Sequence, residues 1–124
     1  MTAANNSSFD LPDLTEMEQH AGDAERLMRT LANRHRLMIL CALVNGELSV
    51  SEINELLPLS QSALSQHLAV MRTEGLVRTR RDGLAVHYSV SDGPALRILK
   101  VLHDTYCSPA PPPSRKRKSK ENKR

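Results

Sequence analysis

The spacing of apolar residues changes twice along this chain, and few folds accommodate both changes. From Leu14 the positions Leu14, Met17, Ala21, Ala24, Met28 and Leu31 alternate steps of three and four, the mark of an amphipathic helix. Helical spacing holds as far as Gly75, gives way to a period of two over Val86, Tyr88 and Val90, and returns in Ile98, Leu99, Val101, Leu102 and Tyr106. The pattern predicts a mainly α chain of five helices, with one β-hairpin between the fourth and the fifth.

Turn and capping residues set the boundaries. The first helix starts at Leu14, and a second runs from about Arg34, with Leu37, Leu40, Cys41 and Val44 on one stripe and Asn45-Gly46 as its stop. A short third helix from about Ser51 to Leu57 is closed by Pro58, and Ser60 is the expected N-cap of a fourth that ends at Glu74-Gly75. Asp92-Gly93-Pro94 opens the last helix, which reaches about Cys107. With Asp82-Gly83 as a two-residue turn, Arg81 faces Leu84, Thr79 faces Val86 and Val77 faces Tyr88. Val77 and Thr79 then point inward, while Arg78, Arg80 and His87 lie on the open face and Arg81 sits at the tip.

A chain of 124 residues, 40% of them hydrophobic, suits one domain with one modest core. The formal net charge is +3, but residues 108–124 hold seven Lys or Arg against one Glu, so this +6 leaves −3 for residues 1–107. Bulk basicity therefore belongs to the C-terminal end, and a case for nucleic acid rests on where charges sit in the folded part. The expected organisation is a flexible segment over 1–13, a folded domain over 14–107, and a disordered Pro-rich basic tail over 108–124. No apolar run approaches the roughly 20 residues that cross a bilayer, so a cytoplasmic protein without a membrane partner is expected. Apolar residues cover more than one face of the last helix, and the first helix carries its own seam. Together they predict a homodimer through these two helices.

The third and fourth helices, joined by Pro58-Leu59-Ser60, have the lengths and tight turn of a helix-turn-helix, and the hairpin beyond them makes it winged. In the fourth helix Leu64, Leu68 and Met71 mark the buried side, which turns Ser62, Ser65, Gln66, Ala69 and Thr73 outward, with Gln61 at the helix start. Gln pairs bidentately with adenine, Ser reaches bases or phosphates, and small side chains permit close approach in the major groove. The expected contacts to double-stranded DNA are Gln61, Ser62, Ser65 and Gln66 on the helix, Arg72 as a phosphate clamp, and Arg78, Arg80, Arg81 and His87 on the wing. His67, on the flank of the buried stripe, reads as a packing residue.

Leu31-Ala32-Asn33-Arg34-His35-Arg36-Leu37-Met38-Ile39-Leu40, Gly46-Glu47-Leu48-Ser49-Val50, Leu64-Ser65-Gln66-His67-Leu68, Glu74-Gly75-Leu76-Val77, and Arg81-Asp82-Gly83 with Tyr88 resemble the ArsR (SmtB/ArsR) family of winged-helix repressors. The resemblance covers roughly residues 14–107. It implies a homodimer bound to an imperfect palindromic operator and released by an inducer, and it implies no enzyme activity. Metal sensors of that family use a Cys pair in the third helix or Asp/His clusters on the last. Here Ser51 to Leu57 holds neither Cys nor His, and adjacent His103 and Asp104 point about 100° apart, so no metal site and no cofactor are expected.

The residues alone leave Cys41 open as a core cysteine beside Leu37, Leu40 and Val44, or as half of a pair with Cys107. The pair resembles that of the HlyU/BigR/SqrR-like dithiol subgroup, which implies redox sensing of a small reactive sulfur species or oxidant at Cys41 and Cys107. A metal-sensing repressor and a winged helix without thiol regulation are the alternatives. A thiol enzyme would need an activated cysteine at a helix N-terminus or in CxxC, and neither cysteine is so placed.

Overall fold

A computed structural model describes residues 13–107, so the expectations for 1–12 and for the 108–124 tail lie outside the described residues. Asp13 caps the first helix through its side chain, which accepts from the Thr15 amide, and α1 follows over Leu14–Leu31. The remaining elements are α2 (Arg34–Leu43), β1 (Leu48–Ser49), α3 (Val50–Leu56), α4 (Gln61–Thr73), β2 (Val77–Asp82), β3 (Ala85–Val90) and α5 (Pro94–Tyr106). All five expected helices are present. The wing, however, is three-stranded rather than two-stranded.

Local chemistry explains the boundaries. The Asn33 side chain accepts from the amides of His35 and Arg36 and so starts α2, and Ser60 accepts from the Ala63 amide and starts α4. Ser49 and Glu52 form a capping box at α3, each side chain accepting from the other residue's amide. At the end of α4, Gly75 (φ 78) takes the left-handed conformation, its amide donates to the Arg72 carbonyl, and the Leu76 amide reaches back to Met71. This is a Schellman motif. Its usual apolar contact is supplied by Met71 and Leu76, both buried, and it aims the chain directly into β2.

The hairpin register is offset from the expected one. Val77 pairs with Val90, Thr79 with Tyr88, Arg80 with His87 and Asp82 with Ala85, which leaves Gly83 and Leu84 as the loop. Gly83 (φ 65) holds the first loop position, where a tight hairpin turn needs a positive φ, so Asp82 joins the strand instead. The offset moves each partner by two residues and therefore keeps the faces as expected, with Val77 and Thr79 still on the side of Tyr88 and Val90. On its other edge β3 pairs with β1, Leu48 opposite Tyr88 and Ser49 opposite His87, giving the order β1-β3-β2. The strand expected at a free edge is thus the central one.

Ile39, Leu40, Leu43, Ile53, Leu64, Leu68, Met71 and Leu99 form the fully buried centre. Spacing predicts one buried stripe on α2, yet Ile39 and Leu43 are buried too, because α1, α3, α4, α5 and β3 all pack against it. Only the end of α1 joins this core. Leu14, Met17 and Met28 of its seam are at least half exposed or nearly so, at 75%, 49% and 54%, and Val101 and Tyr106 of α5 are exposed as well. An Arg26–Glu74 ion pair, with the Arg26 Nε 2.7 Å from Oε1, ties α1 to the end of α4.

Candidate nucleic-acid interface and thiol pair

The buried side of α4 is built from Leu64, Leu68 and Met71, and this packing fixes which side chains the helix presents. Gln61, Ser62, Ser65, Gln66, Ala69, Arg72 and Thr73 are all exposed. The start of α4, the face of α3 and the wing tip enclose an open groove of about 810 Å³, lined by Asn54, Glu55, Gln61, Leu84 and Val86 among others. Helix α4 and the wing therefore share one concave surface.

Of the wing cations, Arg78 and Arg81 are exposed and make no ion pair among the described residues. Arg80, expected on an open basic face, is instead held by Glu47, with Nε 2.9 Å and 3.2 Å from the two carboxylate oxygens and Nη2 also donating to Oε1. The Arg80 hydrogen bond pulls the Glu47 carboxyl below its usual range, and the pair raises Arg80 in turn. His87 Nδ1 lies 4.0 Å from the same carboxylate on the central strand, half-buried rather than at a free edge. Sequence reasoning missed Glu47. The alternation Glu47-Leu48-Ser49-Val50 is its only signal, and it is too short to mark a strand.

His67 does pack, as expected, and its partners are specific. Its Nδ1 accepts from Arg36 Nε at 3.4 Å, Arg36 Nη1 donates to the Thr30 carbonyl, and the His35 ring lies 5.7 Å away. One arginine thereby joins α1, α2 and α4. Burial, then the charges of Arg36 and His35, lower the His67 pKa. The unfolded chain, with a histidine pKa near 6.5, then binds the proton more readily, so this contribution is complete above that pH and is lost as the pH falls through the folded value. Thermal unfolding followed from about pH 8 down to about pH 5 is expected to show stability falling with pH, and His67→Gln to flatten that fall. An unaltered profile in the variant would assign the fall to other groups.

Both cysteines are free thiols, Cys41 half-buried against the core and Cys107 exposed at the C-cap of α5. Helix α2 packs on α5. Burial pushes the Cys41 thiol up, and Cys107 is near enough for its charge to add to the rise. Among the described residues no group of three or more His, Cys, Asp or Glu is arranged to hold a metal ion, and no helix is long and apolar enough to cross a membrane.

Residues 33–79, from the cap of α2 to the first half of β2, match the family model described as bacterial regulatory protein, arsR family. Across 95 residues the chain is 46% identical to the transcriptional activator HlyU of Vibrio cholerae, covering 77% of this chain and 88% of that one. The chain belongs to the ArsR family. Its members bind DNA as dimers. A biofilm growth-associated repressor of Agrobacterium fabrum is 38% identical, with 77% of this chain and 82% of that one covered. Among solved ArsR-family structures, HlyU from Vibrio vulnificus superposes with a TM-score of 0.71 at 48% identity, over 76% of this chain and 98% of that one. The winged-helix regulator fold is shared throughout.

Proposed function

We propose that this ArsR-family regulator is a dimeric repressor or anti-repressor whose hold on its operator is controlled by persulfide or oxidant chemistry at Cys41 and Cys107. The observation that carries the thiol reading is that Cys41 lies on α2 and Cys107 caps α5, two helices that pack on each other. Exposed Cys107 is the entry point. Its thiolate attacks the terminal sulfur of a hydropersulfide, forming a Cys107 persulfide and expelling a thiolate. Cys41, buried and higher in pKa, is the resolving partner. Its thiolate attacks Cys107 Sγ, closes the disulfide and releases hydrosulfide.

DNA is read by Gln61, Ser62, Ser65 and Gln66 in the major groove, and Arg72, Arg78 and Arg81 clamp phosphates. His87 shares the wing face with Arg80 on the central strand, half-buried, and Arg80 reaches DNA only past Glu47. The exposed apolar seams of α1 and α5 supply the dimer contact, so the two reading helices meet half-sites one helical turn, or a multiple, apart on an imperfect palindrome. Relatives include both an activator and repressors by name. In this reading release from DNA is the regulated event of this chain, and the operator's position relative to the promoter would decide its sign.

The test is selection of fragments from the source genome with the reduced and the persulfide-treated protein. Enrichment of a palindromic site by the reduced form alone is expected, and equal enrichment by both forms would remove the thiol switch while leaving the DNA reading intact. The tail over 108–124 adds cationic charge without base readout. Truncation after Cys107 is expected to weaken binding to scrambled duplex at low salt, measured by fluorescence anisotropy, and to leave the preference for operator unchanged.

A further inference from the structure

The outward face of the sheet is not uniformly basic. Pairing of Ser49 with His87, and of His87 with Arg80, lays β1, β3 and β2 side by side, and Glu47 immediately before β1 shares the face of Ser49, Ser89, Arg78 and Arg80. From there its carboxylate reaches past His87, which shares this face, to engage Arg80 through two guanidinium nitrogens. The Arg80 side chain is still 55% exposed and that of Glu47 39%. The pair therefore stands where a DNA backbone lying along the wing would meet it.

A carboxylate and a phosphate present the same paired oxygens to a guanidinium fork. Glu47 thus occupies the donors that a phosphate would take, and a phosphate that displaced it would be left beside an unpaired carboxylate. We propose that Glu47 is an internal competitor for DNA phosphate at Arg80 and so sets how tightly the wing grips DNA of any sequence. The inference rests on the reading of the wing as a DNA contact. In the free protein the Arg80 charge is neutralised in place, so it displaces no counterion from DNA phosphate on binding. Specific binding, which depends on base contacts from α4, is left as the larger share of the total.

Replacing Glu47 with Gln keeps the shape and removes the charge, freeing one phosphate contact per chain and two per dimer. The slope of log K against log salt on a scrambled duplex should steepen by about 1.8, so that the affinity ratio of variant to parent grows roughly tenfold between about 200 and 50 mM salt. Adding Arg80→Gln to that variant should abolish the gain. If Glu47→Gln leaves the slope unchanged, or steepens it equally when Arg80 is Gln, Glu47 does not act through Arg80 and the proposal is overturned. Arg81→Gln separates this from the underlying reading. A flatter slope in Arg81→Gln establishes the wing contact, so a failure of Glu47→Gln then counts against Glu47 alone, whereas an unchanged slope in Arg81→Gln removes the wing and this inference together. Thermal melts of each variant confirm that the sheet is intact.

Discussion

Persulfide treatment of the reduced protein is expected to lower its operator affinity by about 5- to 150-fold, and a dithiol reductant to restore it, the span of a coupling of about 1–3 kcal/mol between two sites. The size follows from what a bridge would join. Helix α2 is the hub on which α1, α3, α4, α5 and β3 pack, while α5 exposes Val101 and Tyr106, part of the surface proposed for the dimer contact. A Cys41–Cys107 disulfide holds the two Cα atoms roughly 4.4–6.8 Å apart, so closing it would lock the end of α5 against α2 and so alter the proposed dimer contact relative to α4. Cys107→Ser removes the entry thiol and Cys41→Ser the resolving one, so both variants should bind operator when reduced and stay bound after treatment. Anisotropy with labelled operator, combined with mass spectrometry of non-reduced peptides, measures release and linkage on one sample. Release of either variant as readily as the parent would eliminate the dithiol switch.

Gln66→Ala is expected to cost about 1–3 kcal/mol at each half-site where the glutamine meets a base, and in a symmetric dimer both half-sites are weakened at once. Gln66 and Ser65 are exposed on the first half of α4, while the buried Leu64 and Leu68 beside them hold the helix in place. The weakening should therefore fall on operator alone, with scrambled duplex bound as before and no change in melting temperature. Titration of both duplexes at one salt concentration decides the matter. A parallel drop on the two would make Gln66 a residue that positions the helix rather than one that reads sequence.

Helix limits are legible because single residues enforce them. Ser60 caps α4, Gly75 ends it through a positive φ, and Pro94 opens α5. The inward set of α4 follows from spacing for the same reason, since its core contacts lie on one side. Helix α2 defeats that logic because it is surrounded, so Ile39 and Leu43 are buried away from the expected stripe. The turn lies one residue beyond its expected place because Asp82-Gly83 and Gly83-Leu84 both put Gly at a loop position, and an apolar Leu84 gives no turn signal of its own. A strand of two residues carries no periodicity, so β1 is invisible in the sequence, and with it the carboxylate that meets Arg80. The pairing of Cys41 with Cys107 comes from family resemblance, since their spacing in sequence says nothing of helices that meet only in the fold.

Ser49 has two duties, as the last residue of β1 and as the N-cap of α3. The strand that zips onto the wing is thus continuous with the first helix of the helix-turn-helix, with no slack between them. A pull on the hairpin is passed straight into α3, and through its packing into α4. On this connectivity the wing, α3 and α4 are expected to move as one piece, like a jaw without a joint. In the proposed dimer, a signal that loosens the grip on DNA would then act farther back, on the contact between the two chains, and lengthening the link at Ser49 by inserted glycines would give each wing a hinge of its own.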